Sequence, residues 1–424
     1  MTLSRLSSKS MILLRTGFFH IFGASVLNKV IAFLSTLVLV RVISKADYGV
    51  YTYASNIYNL IEIMAGFGAA SGALQICAEN IGDKLKFSAA YQYAMRFGSV
   101  FDLGLSVVCL VIGLFLPLEI PGANFLICLL SLLPVLSLWQ NMQTVYLRAK
   151  QANTAFATLS LISTIITAVL TVSGAYWGAA TGMVYARYLA AIICLIFAYY
   201  YLHAPLLQFS SPQLSQTGKR DILRISGISM LNNGLTTLLY LADVFLVGMI
   251  MSSETQVAAY KVATQIPAAL IFIPSAIVTY IYPYFAQHHL DRNWCLHRFG
   301  QLILGVGSLN LLIGATLIIF APFWVSLIFG AQYLDAVTSF RILCAGYIVS
   351  GTFRIIAGNL LVTQRKLTYN TLVAVIFGAV NVICDFLFIS WWGIEGAAWA
   401  TFLVQMLTGA MNTGYLVYIL KAGK

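Results

Sequence analysis

Charge is what this chain has least of. Only 9% of its 424 residues are Asp, Glu, Lys or Arg, against 60% hydrophobic, and the mean hydropathy is +0.88. That balance excludes an ordinary soluble protein. Long polar segments are missing too: no loop exceeds about twenty residues, which leaves no room for a folded extramembrane domain. The seven cysteines (77, 109, 128, 194, 295, 344 and 384) contain no CxxC and sit almost all inside apolar runs. They read as inert small hydrophobes rather than a disulfide framework or thiolate metal site. His288, His289 and His297 lack acidic or cysteine partners, so neither a metal nor any other cofactor is expected. No nucleotide-binding or DxD-type signature is present.

What is there is apolar and periodic. Runs long enough to cross a hydrocarbon core of about 30 Å as helices recur throughout. They predict spans at roughly 13–40, 49–77, 89–116, 124–147, 155–175 and 179–202, then 222–250, 256–285, 299–320, 337–361, 369–390 and 396–420. The first has no cleavage-site pattern and is kept as a helix. The stretch from His203 to Asp221, with Pro205 and Pro212, reads as a linker. The expected organisation is therefore an N-terminal bundle over 1–203, a cytoplasmic linker over 204–221 and a C-terminal bundle over 222–424.

The net charge of +11 has a topological reading. With the N-terminus inside, Arg5, Lys9, Lys84, Lys86, Arg148, Lys150, Lys219, Arg220, Arg292, Arg298, Arg365, Lys366, Lys421 and Lys424 lie on the cytoplasmic face, against Arg41 and Lys45 outside. This satisfies the positive-inside rule with both termini cytoplasmic, and it removes nucleic acid as the reason for the basicity.

The chain also repeats itself. Arg96-Phe97-Gly98 and Arg298-Phe299-Gly300 each open an apolar run that stops at a proline, Pro117 or Pro322. Ser25-Val26-Leu27-Asn28-Lys29 lines up with Ser229-Met230-Leu231-Asn232-Asn233, and Tyr176-Trp177-Gly178-Ala179-Ala180 with Trp391-Trp392-Gly393 before Glu395-Gly396-Ala397-Ala398. A six-helix unit starts and ends on one side, so its copy inserts in the same orientation. The expectation is an all-α polytopic membrane protein of about twelve transmembrane helices, in two parallel six-helix repeats around a central cavity that rocks between two openings.

Ionisable groups inside spans are expensive, from about 2.5 kcal/mol upward at mid-depth, and are candidates for function. They comprise four cations (Lys29, Arg187, Lys261, Arg354) and four anions (Glu62, Asp102, Asp243, Asp385). Lys29 and Glu62 read as either an ion pair or cavity groups, and Asp243 with Lys261 as a helix staple. Arg187 and Arg354 have no acidic neighbour at helical spacing and must find water, carbonyls or an anionic ligand. Glu62, Asp102 and Asp243 are the candidates for ion coupling, since a carboxylate in a low-dielectric site can titrate nearer neutrality.

The sequence resembles a known family. Arg41-Val42-Ile43-Ser44-Lys45-Ala46-Asp47-Tyr48-Gly49-Val50-Tyr51 is similar to the motif between spans one and two of polysaccharide-exporting flippases in the multidrug/oligosaccharidyl-lipid/polysaccharide (MOP) superfamily. Asp243-Val244-Phe245-Leu246-Val247-Gly248 with Val257-Ala258-Ala259-Tyr260-Lys261-Val262-Ala263 resembles its seventh and eighth spans. Ala321-Pro322 with Leu327-Ile328-Phe329-Gly330-Ala331-Gln332-Tyr333, and Asn381-Val382 with Gly393 to Ala398, extend the likeness to the last span. Two positions depart from the pattern: Ala258 where glycine is usual, and Asp385 where asparagine is common, which argues against Asp385 in a shared mechanism.

The resemblance implies a bacterial inner-membrane flippase, not an enzyme. It would carry a polyprenyl-diphosphate-linked oligosaccharide, such as an O-antigen unit, to the periplasmic leaflet. The implied partners are that lipid-linked glycan, membrane lipids, a glycan polymerase, a chain-length regulator, and a proton or sodium counter-ion. Lys29 is the first candidate for the head-group cation, followed by Arg187, Arg354 and Lys261. Two other functions compete. A multidrug or cation antiporter of the same superfamily would want an acidic cavity without Lys29. An integral-membrane glycan polymerase or glycosyltransferase would need a sizeable catalytic loop.

Overall fold

A computed structural model describes residues 18–207, 214–288 and 290–422. Arg5, Lys9, Pro212, His289 and Lys424, the start of the first predicted span, and the side chains of Asn232 and Asn233 lie outside what is described. Every regular element among the described residues is helical, and the chain divides into two compact units, Met1–Leu238 and Leu239–Lys424.

The first unit contains α1 (Phe18–Val42), α2 (Lys45–Glu62), a 3-10 turn (Ala65–Gly68), α3 (Ala69–Glu79), α4 (Lys84–Phe115), α5 (Ala123–Leu130), α6 (Leu133–Ala149) and α7 (Asn153–Tyr200). The helix α8 (Gln216–Met251) runs across the boundary. The second unit continues with α9 (Glu254–Leu270), α10 (Phe272–Gln287), α11 (Arg292–Ile319), α12 (Ala321–Phe329), a 3-10 turn (Ala331–Ala336) and α13 (Val337–Val349). It ends with a π-helical turn (Ser350–Arg354), α14 (Ile355–Thr363) and α15 (Leu367–Lys421). Among the described residues, eight helical stretches are long and apolar enough to cross a membrane, or nine if α5 and α6, bent by 45°, form one span. The protein is a multi-pass integral membrane protein.

Two of these helices are hairpins. At 1.5 Å per residue, a straight helix of α7's length would run to about 72 Å, more than twice the hydrocarbon thickness. Instead the backbone leaves helical geometry at Gly178 and at Ala179 (φ 46°, ψ −134°). The two arms then close on Gly174 and Gly182, where a Cβ on either residue would run into the other's carbonyl. α15 turns likewise at Gly393 (φ 60°, ψ −137°), and its returning Gly396 packs on the Phe388 carbonyl. Both tips carry exposed aromatic residues, Tyr176 and Trp177 in one and Trp391 and Trp392 in the other. Amphipathic rings at equivalent loop positions are what an interfacial belt requires.

Other predicted spans are broken rather than continuous. The one predicted over 49–77 contains three successive left-handed residues, Gly66, Phe67 and Gly68 (φ 55°, 51° and 73°). The one over 256–285 divides between α9 and α10, with Pro267 inside α9, and the one over 337–361 contains the π turn. Packing in the first unit relies on small residues: Ala69, Ala73, Ala90 and Ala94 let α3 and α4 approach Leu138 and Met142 of α6. Lipid tails are as apolar as side chains, so close approach rather than hydrophobic exclusion holds such helices together. The start of the predicted linker is docked on this bundle. Gln143 donates to the carbonyls of Leu195 and Ala204, Tyr91 to that of Pro205 and Gln92 to that of Leu206.

Candidate functional site

In the first unit, charge collects around Arg187. Tyr51, Tyr58 and Glu62 are seven and four residues apart, so α2 presents them on one face. The second arm of α7 brings Arg187 against that face, with its guanidinium 5.1 Å from the centre of the Tyr58 ring. Tyr51, Tyr58 and Glu62 are all within electrostatic reach of it. The acidic neighbour that its own helix did not offer comes from another one. Glu62 also faces Asp102, while Lys29 lies exposed on α1. Asp102 is fully buried on α4 and accepts the Gly66 N–H at 2.5 Å, so it fastens the break between α2 and α3. Its second oxygen has no hydrogen-bond partner.

The second unit holds a different cluster. Asp243 on α8 accepts hydrogen bonds from the Thr401 hydroxyl (2.7 Å), the Asn381 amide (3.0 Å) and the Tyr260 hydroxyl (3.1 Å). The same Asn381 nitrogen donates to Asp385 at 2.6 Å. Tyr260 and Asp385 are fully buried, and the other Asp385 oxygen has no partner. The α15 hairpin explains the assembly. Asp385 and Thr401 each lie eight residues from the turn at Gly393, so the two arms carry them to equal depth.

Two expectations change here. The staple between Asp243 and Lys261 is not formed: neutral donors occupy the Asp243 carboxylate, and Lys261 makes no ion pair among the described residues. Asp385, set aside on sequence grounds as an unusual residue, belongs to the cluster with Asp243. The i,i+4 spacing of Asn381 and Asp385 was the signal that could have found it. Arg354 has no hydrogen bond to the Asp243 cluster and is held by a 2.8 Å bond from its Nε to Ser350 within the π turn. Local widening of this kind recurs at functional sites.

A cavity of about 310 Å³ lies between α6 and the two arms of α7, lined by hydroxyls and amides and by no charged side chain. Sequence reasoning passed over it because it concentrated on ionisable residues, although the polar positions stand at helical spacing inside apolar spans.

A family model described as "Polysaccharide biosynthesis protein" matches residues 38–338. The chain belongs to the polysaccharide biosynthesis protein family. Its fold is that of the MOP superfamily. A multidrug resistance MATE family transporter in an inward-facing conformation superposes with a TM-score of 0.71 at 15% identity, covering 93% of this chain and 95% of that one. The lipid II flippase MurJ, in an inward closed conformation, gives a TM-score of 0.71 at 13% identity over 95% of this chain and 87% of that one. A MOP superfamily transporter from Pyrococcus furiosus, whose binding pocket is described as reversed in polarity, gives 0.58 at 14% identity over 94% and 96%. No curated protein sequence matches the chain.

Proposed function

We propose that this protein is a flippase. It moves polyprenyl-diphosphate-linked oligosaccharide units from the cytoplasmic to the periplasmic leaflet of the bacterial inner membrane by alternating access. The observation that carries the substrate class is the family match over residues 38–338. With each hairpin arm counted separately, and α2–α3, α5–α6, α9–α10 and the stretch from α12 to α14 each counted as one crossing, the described helices are compatible with twelve spans, six on each side of the predicted linker. Both termini are then cytoplasmic, in keeping with the distribution of Lys and Arg. The long lipid tail can stay in hydrocarbon during transfer, whereas the diphosphate and sugars need a wet, polar path. The candidates for the diphosphate cation are Lys29 and Arg187 in the first unit and Arg354 and Lys261 in the second, with Arg187 favoured because it lies against the polar face of α2.

Coupling is assigned to Asp243 and Asp385. Two unit charges about 4 Å apart repel by about 4 kcal/mol at an effective dielectric of about 20. A buried carboxylate pair bridged by one amide therefore takes up a shared proton or a monovalent cation such as sodium. Half a turn of the Asn381 amide would present its oxygen, and with Thr401 the site would offer four oxygen-bearing side chains. Glu62 and Asp102 are the secondary candidates.

The decisive test is genetic and chemical together. Deleting the gene should abolish a surface glycan and leave its lipid-linked unit accumulated in the inner leaflet. Intact surface glycan combined with new sensitivity to cationic drugs would replace this reading with the antiporter. In vesicles, a pH gradient or a sodium gradient should drive transfer, and whichever works identifies the ion.

A further inference from the structure

The neutral cavity of the first unit is lined by none of the charged residues described above. We infer that it binds a neutral sugar ring of the carried glycan. This rests on the flippase reading and deepens it by naming where the sugar is recognised.

The lining decides the ligand class. α6 contributes Gln140, Asn141 and Thr144, and the first arm of α7 contributes Ser160, Ser163 and Thr164. Of the ten lining residues only Leu159 and Cys194 are apolar, and none is charged. Without a cation the cavity is a poor seat for a diphosphate. Without a carboxylate or an aromatic ring it is equally poor for an organic cation. Hydroxyls and amides that both donate and accept suit a ligand with the same mixture, which is what sugar hydroxyls offer. The volume would hold about ten waters and falls at the lower end of the range for small-ligand sites.

The local alternative is that these groups satisfy one another, and some do. Thr144 donates to the Gln140 carbonyl at 3.0 Å, Thr164 to the Ser160 carbonyl at 2.9 Å, and Asn28 to the Ser160 hydroxyl at 2.6 Å. That leaves capacity unused. Gln140 also donates to the Ala191 carbonyl and Gln143 to that of Leu195, but the exposed Asn141 side chain has no partner among the described residues. One wall residue links the cavity to charge. Ser137 on its wall faces the Tyr58 hydroxyl, and Arg187 sits over that same ring. A phosphate attached to a sugar held here would therefore lie on the Arg187 side.

Cys194 on the cavity wall provides a reporter. The full-length protein in lipid nanodiscs would be treated with a small maleimide, and alkylation of Cys194 followed by peptide mass spectrometry. The probes would be millimolar neutral hexoses, N-acetylhexosamines, inorganic diphosphate and tetraphenylphosphonium. At least one neutral sugar should slow Cys194 alkylation several-fold, whereas diphosphate and the cation should not. Asn141→Ala should remove that protection, with alkylation of the partly exposed Cys128, which is not part of the lining, unchanged. Protection by the cation or diphosphate alone, or by no probe, would overturn the inference. Export supplies an independent readout. Thr164→Trp, present at native levels, should cut surface glycan at least tenfold. If deletion abolishes the glycan while Thr164→Trp exports normally, the flippase reading stands and the sugar site fails. If deletion leaves the glycan intact, the flippase reading itself fails.

Discussion

The two units handle buried polarity in opposite ways. In the first, Arg187 is spread over a tyrosine face and shares its field with Glu62, beside a cavity of hydroxyls and amides with spare hydrogen-bonding capacity. In the second, two carboxylates are enclosed by donors from α9 and the two arms of α15, and one Asp385 oxygen is left over among the described residues. An open neutral surface suits a bulky hydroxylated ligand, whereas a closed cluster of oxygens suits a proton or a small ion. The difference teaches that two units of one chain can treat buried polar groups by different chemistry.

The comparison breaks most decisively at Asp385. Asp385→Asn keeps the shape and removes one of the paired charges. Gradient-driven transfer should fall at least a hundredfold, while exchange without a gradient persists in the vesicle assay. Equal transfer by the variant and the native protein would reduce the second unit's cluster to a structural role. Asp243→Ala goes further, leaving Tyr260 and Thr401 without their carboxylate acceptor while Asn381 keeps Asp385. Since each orphaned buried donor costs about 1–3 kcal/mol, a marked drop in thermal midpoint is expected alongside loss of coupling.

Arg187 sharpens the other side. Arg187→Ala removes the cation that acts on Glu62 and the contact over the Tyr58 ring, so export should fall with a modest drop in thermal midpoint. Arg187→Lys keeps the charge but not the guanidinium over the Tyr58 ring. It should recover most of the stability with export reduced about tenfold, as judged by melting and complementation together. Asp102→Ala removes the acceptor of the Gly66 N–H, a bond to a charged group worth about 1.5–3 kcal/mol, whereas Asp102→Asn should retain most of it. If the two variants melt alike, Asp102 does not fasten the break.

The smallest effect is expected at the surface. Asp83 caps α4, and its carboxyl is held below the ordinary carboxylate range chiefly by the Lys86 backbone N–H, with further help from the Lys86 side chain and the Leu85 N–H. A lowered carboxyl value contributes stability above the unfolded-state value, and that contribution disappears as pH falls through the folded one. Asp83→Ala should therefore melt slightly below the native protein at pH 7 and alongside it in strong acid. Export should be unchanged.

Much of the architecture was legible because lipid imposes simple rules. Spans must be apolar and long, and hairpin turns fall where Gly178 and Gly393 interrupt them. The candidate sites were half legible. Arg187, Glu62, Asp102 and Asp243 stood out because charges are rare in such spans. Their partners did not, because the pairings Arg187–Glu62, Asp243–Asn381 and Asp243–Thr401 join residues more than a hundred positions apart. The expected Asp243–Lys261 staple was wrong for the same reason: helical spacing limits who is near along one helix but not which face a neighbouring helix presents.

The amino-acid sequence by itself determined the solvent, the helical class, the orientation signal, the duplication and the polysaccharide family resemblance. All of these depend on composition, on period, or on short motifs read along the chain. Only the tertiary structure decided that Asp385 joins Asp243, that Arg187 rests on Tyr58, and that neutral polar positions of α6 and α7 enclose a cavity. Those outcomes depend on helix rotation and on the depth at which two arms of a hairpin meet. Both are set by packing between helices, which no single helix carries in its own sequence.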